Sequence, residues 1–517
     1  MKSKIELLDT TLRDGAQAVG ISFSDCDKSC ILSLLDSIGI NLIESGVSNP
    51  KDREFLSNTK NAKLVSFGAT CRKDFVPAQD EGLNSLVNAE TSTVCIFGKS
   101  CAEQARRVLG VSAERNLQII RQSVEYLKSK GKRVIFDAEH FFDAYFQDRH
   151  YALSALRAAF ESGADTLVLC DTNGGTLPQR VYDATKETVC EFANSPHSPV
   201  IGIHAHNDCA MAVACTLAAV DAGARHVQGT FLGFGERCGN ANLSSVIANL
   251  HFKTEFETDC DVKNLTAAAR KIAEICNVKL PEDMPYVGAA AFAHKAGMHV
   301  DAVLKDERSF EHIPPSQVGN EHRLILSEVS GKSAVSEKLQ SLFPHIERQH
   351  PKTKEILNEI KNLEKDGFQF DTADASFALL AERILEVYQP SFKLVRYSIH
   401  ASQPDGTSTA EVCIDVDGVV TSVTENGNGP VNALDKALRG ALIKHYPQIA
   451  DMCLEDYKVR VVDFAAATGA MVRVLITSSD GKDSWTTVGV SRDIIEASWF
   501  ALRDSFEYKL TGRRKFL

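Results

Sequence analysis

The chain has 517 residues, 44% hydrophobic and 24% charged, with a formal net charge of −11. It is long enough to bury more than one core and ordinary enough in composition to be globular. The acidic balance excludes a protein that tracks nucleic-acid phosphates, which needs a basic face. No apolar run approaches the roughly 18 residues of a membrane span, and the opening MKSKIELLDT lacks the apolar stretch of a secretory signal, so no membrane partner is expected. Fourteen cysteines contain no CxxC pair, and several, such as Cys95, Cys170 and Cys215, sit in apolar runs. They read as reduced core thiols of a cytoplasmic protein.

The first half repeats one pattern: a short β-rich run, a polar turn, a helical periodicity, then another run. The predicted strands are 4–9, 41–46, 63–70, 92–98, 133–139, 166–172, 200–206 and 226–233. Helical spacing fills the gaps, as over Tyr151–Ser162 and Cys209–Ala222. Glycines in SIGINLIE, ESGADTLVL and DAGARHVQG stand where a helix stops before a strand. Eight such units in residues 1–261 predict a (β/α)8 barrel within the α/β class. An open doubly wound sheet is the competing fold, but no GxGxxG follows the first strand.

Residues 262–388 turn helical and read as a linker subdomain, punctuated by Pro314-Pro315 and Pro351. Residues 389–517 read as an α+β domain built on an internal ββα-type duplication. Its two helices align at a 64-residue offset that pairs Ala433 with Ala497, Ala437 with Ala501, Leu438 with Leu502 and Arg439 with Arg503.

On such a barrel the reactive groups gather at the C-terminal strand ends. Those ends carry Asp9, Arg13 and Asp14, then Glu44, then Asp137, Glu139 and His140, then Asp171, Thr172 and Asn173, then HAHND and GFGERCGNAN. His204 and His206 are two apart, so on a strand both imidazoles face one point, which is metal-ligand spacing. Asp14 and an amide such as Asn240 would supply the oxygen ligands. Mixed N/O ligation suits Mg, Mn, Zn or Co without selecting one. Arg13 can face developing negative charge on a substrate oxygen or form a salt bridge to Asp9 or Glu44. Glu139 and His140 stand as a general acid or base, or as part of a helix-capping network.

The segments DTTLRDGAQ, DAEHFFDAY, LCDTNGG, HAHND, GERCGNANL, AFAHKAGMHVDAV and WTTVGVSRDIIEASW run through essentially the whole chain. Together they resemble the acetyl-CoA/2-oxo acid condensing branch of the DRE-TIM metal-dependent family. That branch includes 2-isopropylmalate, homocitrate and citramalate synthases, and the citramalate type is the most similar. The resemblance implies a divalent metal on Asp14, His204, His206 and Asn240, with acetyl-CoA as co-substrate. It implies Arg13 stabilising the alkoxide, Thr172, Arg13 and Glu44 binding the oxo acid, and Glu139 with His299 moving protons. It also implies a homodimer whose C-terminal domain senses an amino acid as feedback inhibitor, with 425–430 as a candidate effector loop.

The expected reaction is a Claisen condensation followed by thioester hydrolysis, in amino-acid biosynthesis, with pyruvate as the expected acceptor. The sequence departs from the family pattern in the shortened SGVSNP turn, and at Cys101, Gln104 and Phe310, where tryptophan, histidine and tyrosine are usual. Those losses of bulk leave open a larger 2-oxo acid such as 2-oxobutyrate, 2-oxoisovalerate or phenylpyruvate. A metal-dependent acyl-CoA lyase and a non-catalytic metal-bound sensor are the other readings.

Overall fold

All eight predicted barrel strands form, and they close on themselves. The computed structural model describes residues 3–45, 61–193, 195, 198–294, 299, 302–303, 305–324, 332–344, 346–347, 350–401, 406–462 and 469–511. The strands are β1 (Glu6–Asp9), β2 (Leu42–Glu44), β3 (Lys63–Ala69), β4 (Thr93–Lys99), β5 (Arg133–Glu139), β6 (Thr166–Asp171), β7 (Val200–Ala205) and β8 (His226–Gly229). Every neighbouring pair is parallel, and β8 closes on β1 with Glu6 opposite His226 and Asp9 opposite Gly229.

The strand sequences are nearly continuous apolar runs because both faces are buried. Leu7, Ile43, Val94, Val134 and Leu167 pack outward into the cluster shared with the helices. Their neighbours Leu8, Leu42, Cys95, Ile135 and Val168 form a separate cluster on the other face of the strands. Gly39, Gly163 and Gly223 take φ of +91°, +101° and +120° and end the helices where their sequence position predicts.

A cage of charge lies at the N-terminal end of the barrel. Arg133 donates through Nη1 and Nη2 to Glu6 Oε1 and Oε2 at 2.8 and 2.7 Å, and His226 Nδ1 lies 2.9 Å from Glu6 Oε2. Burial raises the Glu6 carboxyl, but His226 and Arg133 outweigh it and hold it well below the usual carboxylate range. Glu6→Gln will therefore cost about 2 kcal/mol at neutral pH. A depressed pKa stabilises the fold above the unfolded value, so that deficit will shrink as the pH falls below about 4.3. Urea titrations of both proteins at pH 7 and pH 4 check it.

The described residues divide into two compact units rather than three. The first is Met1–Phe292 with Ile313–His322, and the second is Ala293–His312 with Arg323–Leu517. Among the described residues of the expected linker subdomain, the helices bury their apolar faces in two different clusters. The helix Leu265–Ile275 buries Leu265, Ala268, Ala269 and Ile272 in the barrel's cluster. Helices Lys332–Leu342, Thr353–Lys365 and Asp374–Leu385 place Val335, Leu339, Ile356, Ile360 and Phe377 in one cluster with the C-terminal strands.

Each C-terminal repeat carries three antiparallel strands and a helix, not two strands and a helix. The first repeat is β9 (Lys393–Ala401), β10 (Ser408–Val416), β11 (Val419–Gly427) and the helix Pro430–Leu442. The second is β12 (Cys453–Val461), β13 (Val472–Ser479), β14 (Ser484–Ser491) and the helix Ile494–Leu510. The extra strand was hidden in AEVCIDVDGVVTSV, which folds as a hairpin. Asp417 and Gly418 both take positive φ and let Val416 pair with Val419, the tight turn that matches strand twist. The helix residues aligned by the 64-residue offset are buried at Ala433, Ala437, Leu438, Ala497, Ala501 and Leu502. Among the described residues no helix is long and apolar enough to cross a membrane.

Candidate metal centre and active site

The turn after β1 is built on one carbonyl. Thr10 O accepts the N–H groups of Arg13, Asp14 and Gly15 at 3.1, 2.9 and 3.1 Å. Asp9, fully buried, holds the turn by accepting from the Thr11 N–H at 2.8 Å and the Thr11 hydroxyl at 3.0 Å. Burial and the charge of Glu44 push its carboxyl up to about 7 against those bonds. Asp9 thus fixes the turn that delivers Arg13 and Asp14 to the C-terminal mouth.

At that mouth Asp14, His204 and His206 bring one ligand atom each within 4.8 Å of one another. His204 Nε2 lies 3.5 Å from Asp14 Oδ2 and 3.4 Å from His206 Nε2. Burial and then His206 push His204 down to about 3, against the pull of Asp14, so its imidazole is neutral, as a metal ligand must be. Burial raises the Asp14 carboxyl, but His204, Arg13 and His206 carry it below its ordinary value.

Asn240 pairs with His206 in an isolated bridge. Its Nδ2 donates to Phe234 O at 3.0 Å, while Oδ1 is buried without a protein partner. A buried amide oxygen without a protein partner, on a side chain that also hydrogen-bonds Asp14, fits the ligand set of a divalent cation. The loop that holds it depends on Gly239 at φ +85°, where an added Cβ would lie 2.0 Å from Gly233 O. Gly239→Ala will displace Asn240 and weaken metal binding by about tenfold or more, as read by calorimetric titration of manganese.

Arg13 makes the salt bridge to Glu44 that its sequence position allows. Its Nε donates to Glu44 Oε2 at 2.7 Å, its Nη1 lies 3.7 Å from Asp14 Oδ2, and its guanidinium stacks 3.7 Å over the Phe67 ring. Glu44 is fully buried, and burial raises its carboxyl against the opposing charge of Arg13. A carboxylate seated behind Arg13 in this way acts through that arginine. The other Glu44 oxygen, Oε1, is buried without a hydrogen-bond partner among the described residues.

Glu139 ends β5 directly opposite Lys99 at the end of β4, and Lys99 Nζ lies 2.5 Å from Glu139 Oε2. Thr172 Oγ1 accepts from the His140 N–H at 2.8 Å. Thr172 O accepts from Arg237 Nη2 at 2.8 Å, and Arg237 Nε donates to Asp208 Oδ1 at 2.8 Å. His140 sits at the helix N-cap with φ of +60° but makes no side-chain cap, and its Nδ1 lies 3.3 Å from Asp143 Oδ2. The charges of Asp137, Glu139, Arg13 and Asp14 all reach the buried Cys170 thiol, which burial above all raises.

His299 belongs to the second unit, where its ring stacks on Phe310 at 4.1 Å. Cys101 lines a cleft of about 530 Å³ with Arg106, Ala144, Asp148 and Tyr151, and none of the residues expected at the site lines it. Most of the SGVSNP turn lies outside the described residues.

Sequence reasoning missed Lys99, Phe67, Arg237 and Gln228. Lys99 had a usable signal, a lone lysine ending an apolar strand beside a strand that ends in glutamate. Phe67 and Gln228 had none, because an aromatic or an amide inside a strand looks like packing.

A closed parallel barrel with carboxylate, imidazole and amide groups converging at its C-terminal mouth defines a (β/α)8 protein with a candidate divalent-metal site. Residues 4–272 match the HMGL-like family, 286–367 the homocitrate synthase post-HMGL domain-like family, and 371–510 the LeuA allosteric (dimerisation) domain. The chain is 47% identical to an (R)-citramalate synthase of Aquifex aeolicus, covering 99% of this chain and 98% of that one. It is 44% identical to an (R)-citramalate synthase of Synechocystis, covering 98% and 96%. It is also 44% identical to one of Sulfolobus acidocaldarius, covering 98% and 97%. The chain belongs to the HMGL-like, DRE-TIM metal-dependent family, within its citramalate synthase group.

Proposed function

We propose that this enzyme condenses acetyl-CoA with pyruvate and hydrolyses the thioester, giving (R)-citramalate and CoA. The carrying observation is near-full-length identity of 47% to an (R)-citramalate synthase, on a chain whose barrel gathers Arg13, Asp14, His204 and His206. The bulkier 2-oxo acids are not favoured, since relatives of 39–47% identity across the whole chain carry the citramalate synthase name. The departure at Cys101 lines a cleft that none of the candidate ligands lines.

Asp14, His204, His206 and Asn240 would hold a divalent cation, which when bound supplies Lewis-acid polarisation of the keto acid. Arg13, held by Glu44 and Phe67, presents its guanidinium to the oxygen that gains charge as the new C–C bond forms. Thr172 has its hydroxyl oxygen occupied by the His140 N–H, so its own proton is turned toward the keto acid carboxylate. Glu139, paired with Lys99, takes a methyl proton from acetyl-CoA, and His299 takes part in proton transfer as the thioester is hydrolysed. Water then displaces CoA. We assign the LeuA-type domain a dimer contact and an amino-acid feedback site, and the enzyme a cytoplasmic location.

Release of CoA thiol from acetyl-CoA, measured with a panel of 2-oxo acids and added metal, tests this reading. Pyruvate will give the highest kcat/KM. Faster turnover of 2-oxoisovalerate or phenylpyruvate would overturn the substrate assignment, and no release with any acid would overturn the synthase assignment.

A further inference from the structure

Beneath the candidate ligands, the proposed mechanism leaves a set of buried polar side chains unassigned. Gln228 and His226 are fully buried, and Asp137 is 5% and His204 6% exposed. Gln228 Nε2 donates to Asp137 Oδ1 at 2.9 Å and lies 3.5 Å from His226 Nε2. Gln228 Oε1 lies 3.0 Å from His204 Nδ1.

Each hydrogen in this set is placed by elimination. Glu6, clamped by Arg133, is an acceptor, so His226 Nδ1 at 2.9 Å carries the proton and donates to it. On the side of its amide nitrogen Gln228 donates to Asp137 Oδ1, and His226 Nε2 lies beyond hydrogen-bonding optimum at 3.5 Å. Flipping the amide would set its carbonyl against the Asp137 carboxylate oxygen and lose that bond. Its carbonyl oxygen is left facing His204, and a carbonyl only accepts, so His204 carries its proton on Nδ1. The lone pair then sits on Nε2, the atom that converges with Asp14 and His206.

We propose that Gln228 is a positioning residue for the metal centre: its carbonyl holds His204 in the Nδ1–H tautomer, and Asp137 fixes the orientation of the Gln228 amide. The proposal rests on reading Asp14, His204 and His206 as metal ligands. Metal-bound histidines commonly donate the other ring N–H to a carboxylate or carbonyl, and losing that partner typically weakens metal binding 10–100-fold. Here an amide does the work, and it takes its own direction from Asp137.

The test uses the full chain as wild type, Gln228→Met and Gln228→Glu. Manganese is titrated by calorimetry, and imidazole ¹⁵N shifts are read on the metal-free proteins, with His204 assigned by the signal lost in His204→Asn. The proposal expects a pyrrole-like Nδ1 and a pyridine-like Nε2 for His204 in the wild type, and a mixture in Gln228→Met. It expects about 10–100-fold weaker manganese binding in Gln228→Met, and binding within about threefold of wild type in Gln228→Glu, whose carboxylate still accepts from Nδ1. A merely structural role predicts the reverse order, since methionine is tolerated in a core and an added acid beside Asp137 is not. Equal affinity of wild type and Gln228→Met, or an Nε2–H tautomer in the wild type, would overturn the proposal. If the glutamate variant fails to fold, the wild-type tautomer decides alone. A wild type that binds no manganese but shows the Nδ1–H tautomer would sink the metal reading and leave the hydrogen-bond assignment standing.

Discussion

Replacing Asp14 with asparagine will weaken divalent-metal binding by about 100-fold or more and lower CoA release in parallel at limiting metal. The reason is the make-up of the cluster. Its other two converging groups, His204 and His206, are neutral donors, so Asp14 supplies the only negative charge among the three. An amide keeps the shape and one acceptor oxygen but none of the charge. Loss of a mere outer partner already costs metal affinity up to about 100-fold, and loss of the anionic ligand sets that as the floor. The metal-free fold will lose no more than about 1–2 kcal/mol, because the substitution preserves volume and the neighbouring imidazoles remain. Titration calorimetry with manganese, alongside urea unfolding of the metal-free protein, separates the two effects. A fully active Asp14→Asn enzyme with unchanged affinity would remove Asp14 from the centre.

Arg13→Lys will lower kcat by about 10²–10³, or roughly 3–4 kcal/mol of transition-state stabilisation, while metal affinity stays within about threefold. Arg13 spends its Nε on Glu44 and its planar face on Phe67, and still holds Nη1 3.7 Å from Asp14 Oδ2. A lysine can satisfy Glu44 as a point charge but cannot also stack and reach. Arg13→Ala differs in kind. It strands Glu44, which is fully buried, and will destabilise the fold by about 3–5 kcal/mol. Without the arginine, the burial that already raises Glu44 acts unopposed by that charge. A raised folded pKa makes stability fall as the pH rises above the unfolded value near 4.3. The Arg13→Ala deficit will therefore grow between about pH 4 and pH 7 in urea titrations. Loss of metal binding with unchanged kcat in Arg13→Lys would reverse the assignments of Arg13 and Asp14.

Much of this protein was legible before any coordinates. A parallel strand buried on both faces must be apolar almost throughout, and a helix must stop before the next strand begins. Those two constraints wrote the eight units and their glycines into the chain in readable form. The same holds for Asp14, His204 and His206, since burying charged or ligating groups at the end of an apolar strand is costly and stands out. The C-terminal duplication showed through its helices, whose small residues at a 64-residue offset are all buried.

Other features needed the tertiary structure. Which core each helix of 262–388 joins needed the structure, because amphipathic helices announce that they bury a face, but not against what. The third strand of the first repeat is concealed because a two-residue turn at Asp417-Gly418 interrupts the alternation too briefly to notice, and that of the second because only the four residues 480–483 part its strands. Glu44 stands out at its strand end, but its pairing with Arg13 from another strand's turn shows only in the tertiary structure. Lys99 and Glu139 are 40 positions apart in sequence, yet the register of β4 against β5 sets them side by side. Gln228 lies between Asp137 and His204, from three different strands. The residue types of a strand end are a local property of the chain. Which of them share a hydrogen bond depends on barrel closure and register, and those are set by packing summed over all eight strands.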